Sequence, residues 1–274
     1  MLPDGGESEE TMSVLLVGCG NMGRAILDGW LHAGEIGAGS VTVVDPVATG
    51  LPGGIRLLRE APSDERFDTV VLAVKPQLIE ALATGLAPVF GTGTLLLSIL
   101  AGVEHAKLER LFPGATVVRF MANLAATLGL SPVAVYAGRA GLTAPDHARV
   151  DRMLAALGEP KWLEDEQQLH AVTALGGSGP GFVYRFLAAL ARAGEDLGLE
   201  PGQATSMALA TVRGAVELAA RSGEDFGALA ARVASPGGTT EAGLAVLERG
   251  RALDSLLAAT LRAAHDRSEE LASR

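Results

Sequence analysis

The chain has 274 residues and a formal net charge of −10, long enough for two domains or one large one and of the wrong sign for nonspecific attraction to nucleic-acid phosphates. Aromatic residues are only 4%, too few for a base-stacking platform, and the histidines at 32, 105, 147, 170 and 265 have no second histidine or cysteine at ligand spacing, so no nucleic-acid partner and no metal are expected. The apolar stretches fall short of a membrane span, and the single cysteine, Cys19, excludes an internal disulfide framework.

Residues 1–11 are acidic and glycine-containing, without a basic start or an apolar core, and are expected to be a disordered tail rather than a signal peptide. A cytoplasmic location follows as the default. The apolar run Val14 to Val17 then turns into Gly18-x-Gly20-x-x-Gly23, with Asn21 inside the turn and Met22, Ile26, Leu27 and Trp30 recurring at helical spacing behind it. Gly18 permits the tight turn, Gly20 lets backbone approach a pyrophosphate, and Gly23 lets the helix pack closely on the strand. The unpaired N–H groups of the helix start favour an anion there. A dinucleotide cofactor is expected at this turn, with Cys19 as a small buried side chain.

From 12 to 163 short Val/Leu/Ile runs alternate with helical stretches, which gives strands near 14–18, 41–45, 69–74, 94–99, 116–120 and 132–136, with a short one possible at 55–58. The expected fold class is α/β: an N-terminal Rossmann-like, doubly wound parallel sheet. Between Asp45 and Asp68 the sequence is rich in Gly and Pro and leaves little room for a crossover helix. Asp45 closes the second strand where an acidic side chain reads the adenosine ribose 2′-hydroxyl. It is equally placed to be a strand-ending turn acid before Pro46. The first role disfavours a 2′-phosphate, so the expected cofactor is NAD(P)H with a lean towards NADH, although Arg56 or Arg59 could fold nearby.

From 164 to 274 the strand signals stop and Ala, Leu, Gly and Arg dominate segments such as 181–197 and 203–221, which read as helices. Several are apolar nearly all round, implying burial from more than one side and a homodimer or higher homo-oligomer formed through this half. Gly176-Gly-Ser-Gly-Pro-Gly181 interrupts what would otherwise be one helix, and Ser235-Pro-Gly-Gly-Thr-Thr240 opens another. The second element is either a plain helix cap or a receptor for an anion and a polar group.

Nicotinamide carries the reducing chemistry, so the protein must chiefly orient the substrate. Carbonyl reduction also needs a proton donor for the developing alkoxide, and the only lysines stand at 75, 107 and 161, none in the helical half. A protonated C=N relaxes that demand, because hydride addition leaves a neutral amine.

Gly-Cys-Gly-Asn-Met-Gly at 18–23, Val-Lys-Pro-Gln at 74–77, Ser-Gly-Pro at 178–180 and Ser-Pro-Gly-Gly-Thr-Thr at 235–240 resemble pyrroline-5-carboxylate reductases in order and spacing. The resemblance implies a dinucleotide domain followed by an all-α dimerisation and substrate domain, and NAD(P)H-dependent reduction of the cyclic imine 1-pyrroline-5-carboxylate to L-proline in proline biosynthesis. It implies that Gly18 to Gly23 bind cofactor phosphates and that Ala73, Val74, Lys75 and Pro76 line the cleft. Ile99, Leu100 and Ala101 stand beside it, and Asn123 joins the same side. Lys75 reads equally as a solvated strand end. The resemblance further implies that Ser235, Gly238, Thr239 and Thr240, contributed across the dimer, hold substrate, with N–H donors from Gly238 and Thr239 and the Thr240 hydroxyl near the imine nitrogen as the catalytic group. Glu166 falls at a matching acidic position on the substrate side; it also reads as an ordinary first-turn acid. Two departures stand out: Met121-Ala-Asn123 where the family has Met-Pro-Asn, and Gly176 where it has serine. They keep open a different imine substrate or a non-catalytic dinucleotide-binding scaffold. A β-hydroxyacid dehydrogenase-like enzyme would need a lysine in the helical half.

Overall fold

A computed structural model describes residues 12–272; the expected tail at 1–11 lies outside the described residues. The chain divides into two compact units, one running to Gly177 and including the chain from His265 onwards, the other Ser178–Ala264. The expected boundary at 163/164 differs from this division by fourteen residues, since a short helix (α5, Gln168–Val172) and a π-helical turn (Thr173–Gly177) belong to the first unit.

The first unit is built on one eight-stranded sheet: β1 Val14–Val17, β2 Val41–Val44, β3 Arg56–Leu58, β4 Thr69–Leu72, β5 Leu95–Ser98, β6 Thr116–Met121, β7 Ser131–Tyr136 and β8 Gly158–Trp162. Their order across the sheet is β3-β2-β1-β4-β5-β6-β7-β8. The first six pair in parallel, β7 runs antiparallel to β6, and β8 is parallel to β7. The sheet is thus doubly wound as expected, with two corrections. The connection from β6 to β7 is a short 3-10 turn, Leu124–Leu128, closed by Gly129 in the left-handed region, too short for a crossover helix, so β7 must reverse. Strand β8, Gly-Glu-Pro-Lys-Trp, has no strand expected for it because its alternation carries charge and a proline; it sits at the sheet edge, where a missing N–H is tolerated.

Every residue of β1, β2, β4 and the apolar part of β5 is buried, which explains their near-continuous Val/Leu composition: both faces are covered. One face packs against helix α1 (Asn21–Ala33), which buries Ile26, Leu27 and Trp30, and against α4 (Ala144–Ala155). The indole Nε1 of Trp30 donates to the carbonyl of Met153 at 2.9 Å, so the largest core side chain brings its polar atom to a partner. The other face packs Leu15, Val70, Leu72 and Leu96 against α2 (Ile79–Leu86) and the chain around α3 (His105–Leu111). Each fully buried aliphatic side chain contributes about 1.5–3 kcal/mol. No helix joins β2, β3 and β4, so the abbreviated stretch between Asp45 and Asp68 is found as expected.

The second unit is helical: α6 Gly179–Asp196, α7 Pro201–Ser222, α8 Phe226–Val233, α9 Thr239–Glu248 and most of α10 (Ala252–Ala272). The expected interruption at 176–181 takes the form of the π turn followed directly by α6, with Pro180 in its first turn, where no intrahelical donor is lost. Among the described residues of this unit only Ala191, Ala204 and Ala208 are buried.

Candidate active site

The carboxyl ends of β1, β2 and β4 converge where the strand order reverses direction, between β1 and β4, the position at which open parallel sheets leave a crevice. Two main-chain bonds hold the ends together: Gly18 N–H donates to the Val44 carbonyl and Ala73 N–H to that of Val17, both at 2.8 Å. The cleft beside them has a volume of about 590 Å³ and is lined by Gly18, Gly20, Asp45, Arg59, Ala73, Val74 and Lys75, together with the apolar face of α2.

The three glycines of the turn do different things. Gly18 has φ +92°, and a Cβ there would stand 2.7 Å from the Ala73 carbonyl oxygen; a Cβ on Gly23 would lie 2.1 Å from the Gly18 carbonyl oxygen. Both are required by the fold. Gly20 is exposed and a Cβ on it meets nothing within 4 Å, so the fold itself leaves open space at this position. Helix α1 begins at the next residue with no side-chain cap; Asn21, Met22 and Gly23 therefore supply first-turn N–H groups without intrahelical acceptors. A dinucleotide pyrophosphate fits this combination of open backbone and uncapped helix start.

Asp45 is only 8% exposed and ties this turn together. Its Oδ2 accepts the Cys19 N–H at 2.8 Å, and its Oδ1 accepts those of Val47 at 2.9 Å and Ala48 at 2.8 Å. Burial pushes its pKa up, but the three backbone donors, aided by Arg59, outweigh it and hold the carboxyl below the ordinary value. Of the two roles its position suggested, the structure shows the turn-closing one, carried by an ionised carboxylate at the cleft. Three of about four acceptor sites are used. Burial raises the Cys19 thiol above its usual pKa against the pull of Arg24, with Asp45 and Asp28 adding to the rise, which makes it a poor nucleophile.

The remaining sequence-derived residues follow the carboxyl edge. Lys75 is exposed and starts the 3-10 turn Pro76–Leu78, with Pro76 at its first position. Ile99 to Ala101 follow β5; Leu100 is buried in the core, so only its main chain and its two neighbours face outwards. Asn123 caps the turn after β6 through Oδ1, which accepts from Ala125 N–H at 2.8 Å, while its Nδ2 donates to the Gly176 carbonyl at 2.8 Å. Its buried amide is thus occupied by the chain itself. A Cβ at Gly176 would stand 3.0 Å from Met121 Cε and Pro132 Cγ, so a side chain there needs both to give by a few tenths of an ångström. Cleft-lining Leu78 and Leu82, before and on α2, and Glu60, two residues after β3, had no sequence signal of their own.

Glu166 lies in the first unit. Its Oε1 accepts from Arg119 Nη1 at 2.5 Å and from the His105 N–H at 2.6 Å, joining β6, the start of α3 and the chain after β8. In the second unit, Ser235 to Thr240 form a tight turn into α9, with Gly237 at φ +69°. The Gly238 N–H donates to the Ser235 carbonyl at 2.9 Å, so the donor role implied for it is already spent. A side chain there is still disfavoured, since a Cβ would stand 2.9 Å from the Ser235 carbonyl oxygen. The N–H groups of Thr239 and Thr240 begin α9 and have no intrahelical acceptor; both residues also carry hydroxyls.

The geometry meets its relatives at this point. Residues 166–271 match the family described as pyrroline-5-carboxylate reductase dimerisation, and 13–102 match NADP oxidoreductase coenzyme F420-dependent. The pyrroline-5-carboxylate reductase of Pseudomonas aeruginosa is 36% identical over 271 residues, covering 96% of this chain and 97% of that protein. This chain belongs to the pyrroline-5-carboxylate reductase family. The solved structure of the Coxiella burnetii pyrroline-5-carboxylate reductase superposes with a TM-score of 0.85 at 28% identity, covering 95% of this chain and 98% of that one. The Plasmodium falciparum pyrroline carboxylate reductase, solved with NADP bound, shares the fold at a TM-score of 0.83 and 24% identity, with 96% and 99% covered. Family membership makes the chain an oxidoreductase acting on a C=N bond with NAD(P)H, and gives it a C-terminal homo-oligomerisation domain. Among the described residues no helix is long and apolar enough to cross a membrane.

Proposed function

We propose that this chain reduces 1-pyrroline-5-carboxylate to L-proline in the cytoplasm, with NADH preferred over NADPH, as a homodimer or larger homo-oligomer joined through its C-terminal helices. The observation that carries the substrate reading is the Pro236–Thr240 turn: it starts a helix with open N–H groups and two hydroxyls in a half of the chain that has no lysine. A carboxylate suits the N–H groups and a ring nitrogen suits a hydroxyl.

A bound reduced nicotinamide supplies the hydride, which adds to the imine carbon. The chain's own residues supply the rest. First-turn N–H groups of α1 and the bare backbone at Gly20 hold the pyrophosphate, and Ala73 to Pro76, Ile99 to Ala101 and Asn123 border the dinucleotide. The Thr239 N–H and the Ser235 hydroxyl hold the substrate carboxylate, and Oε2 of Glu166, the oxygen not used by Arg119 and His105, serves the substrate side. The ring nitrogen enters protonated and donates to Thr240 Oγ1. Hydride addition neutralises the iminium, so no side chain has to release a proton. The NADH preference rests on Asp45, whose ionised carboxylate at the rim accepts a ribose hydroxyl and repels a 2′-phosphate.

The test is NADH oxidation with pyrroline-5-carboxylate, pyrroline-2-carboxylate and simple cyclic imines, repeated with NADPH. Thr240→Ala should lower kcat/KM by ~10–150-fold, the worth of one charge-assisted hydrogen bond at about 1.5–3 kcal/mol, with cofactor affinity unchanged. Cofactor binding with no turnover on any imine would identify a scaffold instead.

A further inference from the structure

Arg59 stands immediately beside Asp45 at the cofactor cleft. Strands β2 and β3 pair in register Val44↔Leu58, and the Asp45 N–H donates to the Leu58 carbonyl at 3.0 Å, so the residue that follows β3 lies next to the one that follows β2. Both line the cleft. The Arg59 guanidinium is held in place by its own chain: Nη1 donates to the main-chain carbonyls of Asp45 and Ala48, each at 3.2 Å. With Nη1 so fixed, Nε and Nη2 keep their N–H groups for a ligand. Arg56, the other cation of this segment, is committed elsewhere: it makes a two-pronged pair with Glu65 at 2.6 and 2.8 Å, and it pairs with Thr42 at the opposite end of β3.

A guanidinium anchored on one nitrogen and open on the others, at the strand end beside the ribose-reading acid, matches one feature of a dinucleotide: a phosphate on the adenosine 2′-oxygen. We propose that Arg59 is a cofactor-specificity residue that binds the 2′-phosphate of NADPH, giving the enzyme a second usable cofactor despite Asp45. The charges facing that position are Asp45 and Glu60 against it and Lys75 with it; the guanidinium is the one that combines a fixed orientation with open donors. This inference rests on the reading that the dinucleotide occupies the cleft at Gly18–Gly23. Asp45 and Arg59 are then opposed elements of one selector: the first sets the preference for NADH, the second limits how strong that preference can be.

The experiment compares wild type, Arg59→Ala and Arg59→Lys in direct binding of NADH, NADPH, ADP and adenosine 2′,5′-bisphosphate, alongside kcat/KM for both reduced cofactors. Arg59→Ala should weaken NADPH and the bisphosphate tenfold or more while changing NADH and ADP less than twofold; Arg59→Lys should recover part of the loss. Equal weakening of both cofactors would make Arg59 a mere anchor of the Asp45–Ala48 turn, and unchanged NADPH binding would remove it from the site; either result overturns the proposal. Failure of wild type to bind NADH at all would instead sink the cleft reading itself.

Discussion

The Cys19 N–H donates to Asp45 Oδ2 at 2.8 Å, fastening the glycine turn to the end of β2. The same carboxylate closes the next turn through Val47 and Ala48, so the side chain on which the proposed NADH preference rests also holds two turns in place. Asp45→Ala should destabilise the fold by about 1–3 kcal/mol, because it strands three donors in a partly buried place. Asp45→Ser, with fewer acceptor sites, should lower the NADH-to-NADPH ratio of kcat/KM; an unchanged ratio would take Asp45 out of the specificity argument. The pH dependence has a definite sign. The folded carboxyl lies below its ordinary value, so its contribution is present above the unfolded pKa and is lost as pH falls through the folded one. Urea unfolding of wild type and Asp45→Asn should therefore converge in stability below about pH 4.

The glycine turn permits a cleaner separation of fold from binding. Gly23→Ala places a methyl 2.1 Å from a main-chain oxygen and should destabilise by about 2 kcal/mol or more, since backbone on both sides has to move. Gly20→Ala meets open space. Its unfolding midpoint should stay close to wild type, while NADH affinity falls at least tenfold. A Gly20→Ala protein that binds NADH normally would show that the pyrophosphate does not lie against this residue.

The contrast between those two glycines also shows what a linear sequence discloses. Strands β1, β4 and β5 were legible because burial on both faces writes an unbroken apolar run, and the glycine turn because its spacing answers to strand, ligand and helix at once. Strand β8 was not, since an edge strand has no such burial to satisfy. The turn-closing role of Asp45 was half legible: its position suggested a strand-ending turn acid, but the acceptance of the Cys19 N–H depends on β2 lying beside β1, a bond across 26 residues. Arg59 depended in the same way on the register of a three-residue strand. The family resemblance implies a donor role for Gly238; the turn geometry spends that N–H on the Ser235 carbonyl.

Glu166 offers a test of structural against substrate-side roles. Its partner Arg119 is nearly buried, with 10% of the side chain exposed, and Glu166 keeps 20%. Glu166→Ala leaves that guanidinium without its carboxylate and should cost about 2–4 kcal/mol, somewhat less than a fully buried pair. Arg119→Leu in the same chain should return part of the loss. Glu166→Gln keeps an acceptor for Arg119 and for the His105 N–H, so it should fold with a smaller deficit. A raised KM for pyrroline-5-carboxylate in that variant, with kcat and NADH affinity near wild type, is the outcome expected of the free Oε2. An unchanged KM would confine Glu166 to bracing β6 against α3.

The helical unit leaves its large side chains uncovered within one chain. On α6, Val183, Phe186 and Leu190 recur at spacings of three and four and are 47%, 54% and 38% exposed, forming a stripe along one face. Met207, Leu209, Val216 and Leu218 are more than half exposed on α7. An apolar surface of this extent is costly in water, at ~25 cal/mol for each Å² left uncovered. Residues 166–271 match a dimerisation family, and a second copy of the chain is the cover that the following variant tests. Phe186→Glu places a charge in the middle of the α6 stripe, where pairing two copies would bury it without a partner. Sedimentation velocity at micromolar concentration should find wild type as a dimer or larger assembly and Phe186→Glu shifted towards monomer. Because association stabilises only the folded chain, the wild-type Tm should rise with protein concentration, and that dependence should disappear in the variant. A monomeric wild type, or a Phe186→Glu protein that assembles as wild type does, would exclude this face of α6 from the interface.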